Sequence, residues 1–596
     1  MNTFKNVILV VLINYSENIQ NKDIINELYG NYFKAIIYYS DYPKHNNTIY
    51  TDINYEHINR GINGHNIFFS FYNKYMELIN DSDGLFYIMD DNIININILN
   101  LYNKDKIIYF YNENRSVGNW YDCVLENISN CKGEWFIYYD YKYGFSAIQN
   151  LLNDSEFKAY NIDKFAGKFS DFFYLPKRYL TEKLFNLFRL FSKHNVFLEI
   201  AIPSIIHNIE PDRNQYQNFD ASVLWNNDRN NMTQERIYKL FNHQHHLFIH
   251  PIKLSNPENC IQLKDILLKD KCIIITTINK PTETIIKHIN NNKDYDVIIV
   301  GDNKTPDDYF NLNCIYLNIP TQNKLFPVLS NLIPYNHYCR KNIGYLYAIK
   351  KGYKIIYETD DDNIPYDNFD NILQFNNLDM IEEKNNRWIN IFKYFTNNSH
   401  IWPRGYPLSL LKTDPNYVIQ KTDFSPSIIN GLVENDPDVD ALFRIICNHQ
   451  YSIEWEKNKS ILISNKNMCV FNTQNTFWLN PDLFVSMIIP SSVSFRYCDI
   501  LKGIICNIIL NKTNNYMMYS SPNVIQLRNE HDLISDFKSE YEMYIHNEKI
   551  LNYIDNNTIN GDNVTNLLKT IYNNLLENGV IKQLDIQILD EWLKYF

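Results

Sequence analysis

Residues 355–363 read IIYETDDDN, an apolar run that ends in three consecutive aspartates. The run predicts a buried strand that ends in carboxylates. Three adjacent carboxylates repel one another, and packing alone gives no reason to keep them. Alternate residues of an extended chain face the same side, so Asp360 and Asp362 can converge while Asp361 points elsewhere. Two hard oxygen donors leave positions open on Mg²⁺ or Mn²⁺ that suit diphosphate oxygens. A cation held there offsets the charge on a departing nucleoside diphosphate. Taken as three residues alone, the run reads equally as a solvated acidic turn.

The flanking sequence alternates between strand and helix signals. Residues 272–278 predict a strand, and residues 281–291 have helical spacing with Pro281 near the start. Short strands follow at 297–300 and 315–317, then a helix at 342–351 stopped by Gly352, and the chain returns as a strand at 354–357. This β-α-β-β-α-β order predicts a mostly parallel sheet covered by helices. Ligands of such sheets sit beyond the carboxyl ends of the strands, where the acidic run falls. The N-terminal half opens in the same way, with a strand at 7–13 and a second at 85–91 (LFYIMDD) that also runs into carboxylates, Asp90 and Asp91. Two related α/β domains are expected. The polar stretch 253–262 (KLSNPENCIQ) is the candidate linker, and two amphipathic helices follow residue 563 as a capping tail.

Composition bounds the rest. A chain of 596 residues is too long for one ordinary core. Its 45% apolar and 15% aromatic content is ample for large cores. A net charge of −12 with no basic block argues against nucleic-acid binding. The ten cysteines show no Cys-x-x-Cys spacing, and Cys123, Cys131, Cys260 and Cys272 are scattered, so a zinc site or disulfide framework is not expected. The early apolar run 7–13 is far shorter than the roughly 20 residues of a membrane span and lacks a basic leader. A soluble, cytoplasmic protein with no membrane span is expected, and homo-oligomerisation is left open.

Longer motifs surround the acidic run: VIIVGDNKTPDDY at 297–309, PYNHYCRKNIGYLYAIKKGY at 334–353, WPRGYPL at 402–408, NGLVENDPDVDA at 430–441, FNTQNTFW at 471–478 and PSSVSFRYCDILKGI at 490–504. In this order they resemble the STELLO glycosyltransferase-like family and, more distantly, the reversibly glycosylated polypeptides, which are UDP-arabinopyranose mutases. The resemblance implies an α/β protein of two GT-A-like (nucleotide-diphospho-sugar transferase) domains, 1–260 and 270–540, with a helical tail, 541–596. It implies a UDP-sugar donor, Mn²⁺ or Mg²⁺ as cofactor, and a glycan acceptor. Thr276, Thr277 and Asn279 are then expected to line the nucleobase pocket, with Asp302 near the uridine. Arg340 and Lys341, which precede a helix, are expected to face the diphosphate, unless they are a solvated basic pair. Asp360, Asp361 and Asp362 take the metal and ribose, and His531 is a candidate late metal ligand.

Arg404 lies in the RGYP motif that in the mutases carries the glycosylated arginine. Its flanks differ here, and sugar or phosphate binding is the milder reading. Asp438, Asp440 and Asp499 compete for acceptor binding or the role of general base. Residues 1–260 resemble the STELLO segment that in plant members follows the mutase-like domain, through GLFYIMDDN (84–92), SDFFYLPKRY (170–179), VFLEIAIPSII (196–206) and FIHPIKLS (248–255). Asp90 and Asp91 could therefore hold a second metal-nucleotide site. Glu199, flanked by apolar residues, reads as a general base with a raised pKa or as a paired structural glutamate. The cluster His243, His245 and His246 invites a metal reading, while His250 is expected to pack structurally. A metal-dependent glycosyltransferase leads, with one or two centres; a UDP-sugar mutase and a non-catalytic sugar-nucleotide-binding scaffold are the alternatives.

Overall fold

The structure, a computed structural model, describes residues 3–13, 18–42, 50–58, 62–110, 123–124, 143–162, 164–224, 231–398, 400–447, 453–527, 532–553 and 563–596. The chain divides into two compact units, Met1–Leu268 and Lys269–Phe596. The polar stretch read as a linker is not one. Asn256 caps the helix Pro257–Leu267 by accepting from the Glu258 amide, with Pro257 in its first turn.

In the first unit a five-stranded sheet runs in the order Ile53–Glu56, Ala35–Asp41, Val7–Ile13, Gly84–Met89, Phe172–Pro176. The first four are parallel and the last is antiparallel. All seven residues of Val7–Ile13 and all six of Gly84–Met89 are buried, as expected of central strands covered on both faces. Helices Ile67–Asn80, Glu182–Lys193 and Leu198–Ile209 supply much of one core, around Phe68, Phe71, Phe185, Phe188 and Ile202.

The second unit repeats that order within a larger, eleven-stranded sheet: Ile315–Leu317, Tyr295–Val300, Lys271–Thr276 and Ile355–Thr359, parallel throughout, then Asn475–Trp478 antiparallel. The sheet continues through Ile428–Glu434 and Met517–Gln526. In both units the strand order reverses between the first strand and the one ending in aspartates, and ligands of open α/β sheets collect at such a reversal. Register fixes the geometry there. Ile275 pairs with Thr359, Thr276 with Val300, and Thr359 with Asn475, so the ends of four strands meet beside Asp360. The short strand Asn363–Pro365 pairs Asn363 with Gln526 and brings the far end of Met517–Gln526 to the same place.

Helix Lys341–Lys351 covers the reversal and ends on Gly352 in the left-handed region (φ 88°), as the sequence predicts. Gly344 of that helix lies against the sheet; a Cβ there would sit 2.5 Å from Val300 Cγ2 and 2.8 Å from Ile274 Cγ2. The C-terminal helices Val564–Glu577 and Gln583–Leu593 form where predicted. They belong to the core of this unit: Trp592 is fully buried and donates to the Val485 carbonyl at 3.0 Å.

Gly344→Ala should force the helix off the strands and cost about 1–3 kcal/mol. The expected readout is a lower thermal or urea midpoint for the transition of the second unit. An unchanged midpoint would mean that the helix does not rest on the sheet at this residue.

Candidate functional site

A cavity of about 380 Å³ opens at the strand reversal of the second unit, within the range of small-molecule sites. Its lining includes Thr276, Thr277, Asn279, Asp302, Asp360, Asp361, Asp362, Arg404, Asp438 and Asp499. Ten of the residues expected from the sequence thus converge, drawn from segments more than 200 positions apart. The lining also includes Ile278, Lys304, Tyr338, Gln474, Phe495, Arg496 and Gln526, which sequence reasoning did not assign to a site.

The three aspartates are held in three different ways. Asp360 Oδ1 accepts from the Tyr338 hydroxyl and, at 3.3 Å, from Lys341 Nζ. Burial raises the Asp360 pKa, with Lys341 and Tyr338 pulling the other way. Asp361 turns to the first strand, where its Oδ2 accepts from Thr277 Oγ1 and from Asn279 Nδ2 (3.0 Å) and its carbonyl accepts from Thr282 Oγ1 (2.6 Å). Asp362 Oδ2 accepts from Gln526 Nε2 at 3.1 Å, while its Oδ1 is buried with no hydrogen-bond partner. Burial and then the Asp360 charge push the Asp362 carboxyl up to about 7. Asp361 therefore ties the acidic turn to the first-strand loop. Among the described residues no three His, Cys, Asp or Glu side chains are grouped to hold a metal ion, which applies equally to His243, His245 and His246. His531 lies outside the described residues.

Two expected anion ligands are corrected. Arg340 is fully buried and donates to the carbonyls of Ser330 (2.8 Å) and Ile333 (3.1 Å), to Ser330 Oγ (2.9 Å) and to Gln322 Oε1. It braces the preceding loop, away from the cavity. Lys341 is also fully buried, with Nζ donating to Tyr338 Oη (2.7 Å) and to the Thr359 carbonyl (2.8 Å). It stabilises Asp360 from behind rather than facing a ligand. The cations that line the cavity are Lys304, Arg404 and Arg496.

Arg404 is the hub of the opposite wall. It donates to Asp438 through Nε (2.8 Å) and Nη2 (3.0 Å), to Asp499 through Nη1 (3.0 Å) and Nη2 (2.7 Å), and to the Arg496 carbonyl. Bidentate pairing to two carboxylates fixes all three side chains. Burial would push the Asp438 carboxyl up, but the Arg404 guanidinium and the Asn472 amide more than offset it and hold its pKa below the usual value. Asp440, by contrast, leaves the site. It caps helix Ala441–Ile446 by accepting from the Phe443 amide (2.7 Å), and it also accepts from Trp402 Nε1 (2.6 Å). Its pKa, pushed to about 7 by burial, belongs to a structural carboxyl. Beneath the floor Glu358 and Lys502, both buried, pair at 2.7 Å.

Beyond the second strand Asp302 accepts from the amides of Asn303 and Asn336, each at 2.7 Å. Thr276 Oγ1 is buried without a partner at the cavity wall. In the first unit, Asp90 accepts from Asn21 Nδ2 at 2.8 Å and Asp91 Oδ2 lies 3.4 Å from His250 Nε2. His250 also faces Asp171 at 3.8 Å, so it packs against carboxylates as well as the core. Glu199 is buried, and burial followed by the Asp171 charge raises its pKa well above the usual value.

Residues 496–596 match the family described as STELLO glycosyltransferases. The probable glycosyltransferase STELLO2 of Arabidopsis thaliana is 24% identical over 349 residues, 54% of this chain and 44% of that protein. STELLO1 of the same plant is 28% identical over 257 residues, 39% of this chain and 32% of that protein. The chain is thus similar to STELLO glycosyltransferases over about half of its length. It spans less than half the length of the curated relatives it matches. The apo-form glycosyltransferase GlyE of Streptococcus pneumoniae aligns over 54% of this chain and 83% of its own at 13% identity, with a TM-score of 0.19. The stretch matched by the STELLO family includes Arg496 and Asp499 of the cavity wall. Among the described residues no helix is long and apolar enough to cross a membrane.

Because its folded pKa lies below the unfolded value of 3.8, Asp438 contributes stability that is present above that pH and lost as pH falls through the folded value. Asp438→Asn should lower the stability of the second unit by about 2–4 kcal/mol at pH 7. The gap to the unaltered protein should close as unfolding is measured toward pH 3. A gap independent of pH would show that the Arg404 pair is not its source.

Proposed function

We propose that the chain is a metal-dependent glycosyltransferase. It moves a sugar from a UDP-sugar to a glycan or protein acceptor at one centre in a GT-A-like second unit. The observation that carries this reading is the buried, unpartnered Oδ1 of Asp362, beside Asp360 at the strand reversal. A buried carboxylate oxygen without a donor is costly, and a hard divalent cation is the partner its chemistry fits. Asp360 and Asp362 would hold Mn²⁺ or Mg²⁺, and the diphosphate would complete its coordination; the bound ion would stabilise charge on the leaving UDP. Thr276, Thr277 and Asn279 would contact the nucleoside, and Lys304 at the rim would contact its phosphates or base.

The reaction breaks the bond between the anomeric carbon and the β-phosphate oxygen, whose electron pair leaves with UDP. A bond forms from the acceptor hydroxyl oxygen to that carbon, and the hydroxyl proton passes to a carboxylate. We assign that role to Asp499, since Arg404 holds both carboxylates but Asp438 also accepts from Asn472. The engagement of every arm of Arg404 by Asp438, Asp499 and the Arg496 carbonyl disfavours a mutase in which this arginine receives the sugar. In the first unit Asp90, which accepts from Asn21, and Asp91, which approaches His250, end a strand at the equivalent place in the sheet.

Incubation with a panel of UDP-sugars, Mn²⁺ and glycan acceptors should give acceptor-stimulated UDP release. Asp360→Ala and Asp362→Ala should each lower it by about 10²–10³-fold. Ring-isomerised nucleotide without UDP release would replace transfer by mutase chemistry. Nucleotide binding with neither product would leave a scaffold.

A further inference from the structure

Phe495 is the anomaly of the cavity. It lines a polar site yet is 56% exposed, and its neighbours Tyr338 and His337 meet it at 82° and 73° rather than stacking on it. A large apolar side chain left in water beside a ligand cavity is informative in a way that a scattered surface residue is not. It is also held in place from both sides. Ser494 Oγ donates to the Ser539 carbonyl, Arg496 Nε donates to Glu540 at 2.7 Å, and the Arg496 carbonyl accepts from Arg404. Upstream, Asp585 of the last helix accepts from the Ser491 amide (2.6 Å), Ser491 Oγ (2.8 Å), the Ser492 amide (3.2 Å) and Ser492 Oγ. The ring thus lines the same cavity as Arg404 and Asp499, from the 490–504 segment, while Ile278, 46% exposed, adds apolar surface to the lining next to Thr277 and Asn279.

We propose that Phe495 is the stacking platform of a saccharide-acceptor subsite, on which a pyranose lays its C–H face while Asp499 and Asp438 accept from its hydroxyls. An aromatic face attracts the weakly positive C–H groups of a sugar ring, and charged acceptors fixed by Arg404 read hydroxyl positions without reorganising. The platform is pre-ordered, so little side-chain entropy is lost on binding. This inference rests on the glycosyltransferase reading and adds the acceptor class and its contact residue.

The test uses the full chain with Mn²⁺ and UDP, and a panel of methyl pyranosides followed by saturation-transfer NMR. UDP binding is measured separately by calorimetry. Phe495→Ala should weaken pyranoside binding by about tenfold and Phe495→Trp should retain it, with UDP affinity within about twofold in both. Equal thermal midpoints establish that both variants fold. Pyranoside binding unchanged in Phe495→Ala, or absent from the unaltered protein, overturns the proposal. Loss of UDP affinity with pyranoside binding intact overturns it in favour of a nucleobase platform. Failure of the unaltered protein to bind UDP would instead remove the glycosyltransferase reading itself.

Discussion

Three adjacent carboxylates at the end of a buried strand have to be reconciled, and the site is organised around how that is done. Each is sent to a different part of the unit: Asp360 to Lys341 and Tyr338 on the helix side, Asp361 to Thr277 and Asn279 on the first-strand loop, Asp362 to Gln526 on a distant strand. The separation relieves repulsion, and it also ties together three loops that would otherwise move independently. Two of the three carboxylates are supplied with a cation or a cluster of donors. The third keeps a buried oxygen unmatched, and a fold that neutralises Asp360 with a fully buried lysine could have treated Asp362 the same way.

The sequence carried the frame of this site and much of its lining. Strands 7–13 and 315–317 and the Gly352 stop were legible because burial on both faces leaves continuous apolar runs and because a left-handed cap favours glycine. Asp361 does turn away from its neighbours, but strand alternation is not the cause: the strand ends at Thr359, and Asp361 and Asp362 lie in a turn. Arg340 and Lys341 were not legible. A basic pair before a helix reads as an anion site, and only tertiary packing shows that carbonyls of the irregular segment around Ser330 and Ile333 have claimed Arg340. Two misreadings did have local signals. Asp440 stands directly before an apolar helical run, and Asn256-Pro257 is a cap followed by proline, both ordinary helix starts.

Phe495, Lys304 and Gln526 could not be assigned from spacing: Lys304 and Phe495 lie in irregular segments beside Asp302 and Asp499, and Gln526 comes in across the sheet. Gln526 arrives only because Asn363 pairs with it across the sheet. Such residues carry no periodicity of their own, and their chemistry becomes visible when the strands they follow are laid side by side.

The two units share a strand order but not a solution to the acidic strand end. In the first, the third position is Asn92, whose amide donates to the Asp171 carbonyl at 2.6 Å, Asp90 is taken by Asn21 and Asp91 approaches His250. A neutral third residue removes part of the repulsion and with it the pressure for a cation. In the second unit all three charges remain, and residues from the far C-terminus support the opposite wall: Glu540 holds Arg496 and Asp585 holds Ser491 and Ser492. The final helices are therefore part of the apparatus that keeps Arg404, Asp438 and Asp499 facing the aspartates. A strand end that concentrates negative charge works as a ligand site only if the wall across from it is equally fixed, and here that wall is completed by the last residues of the unit.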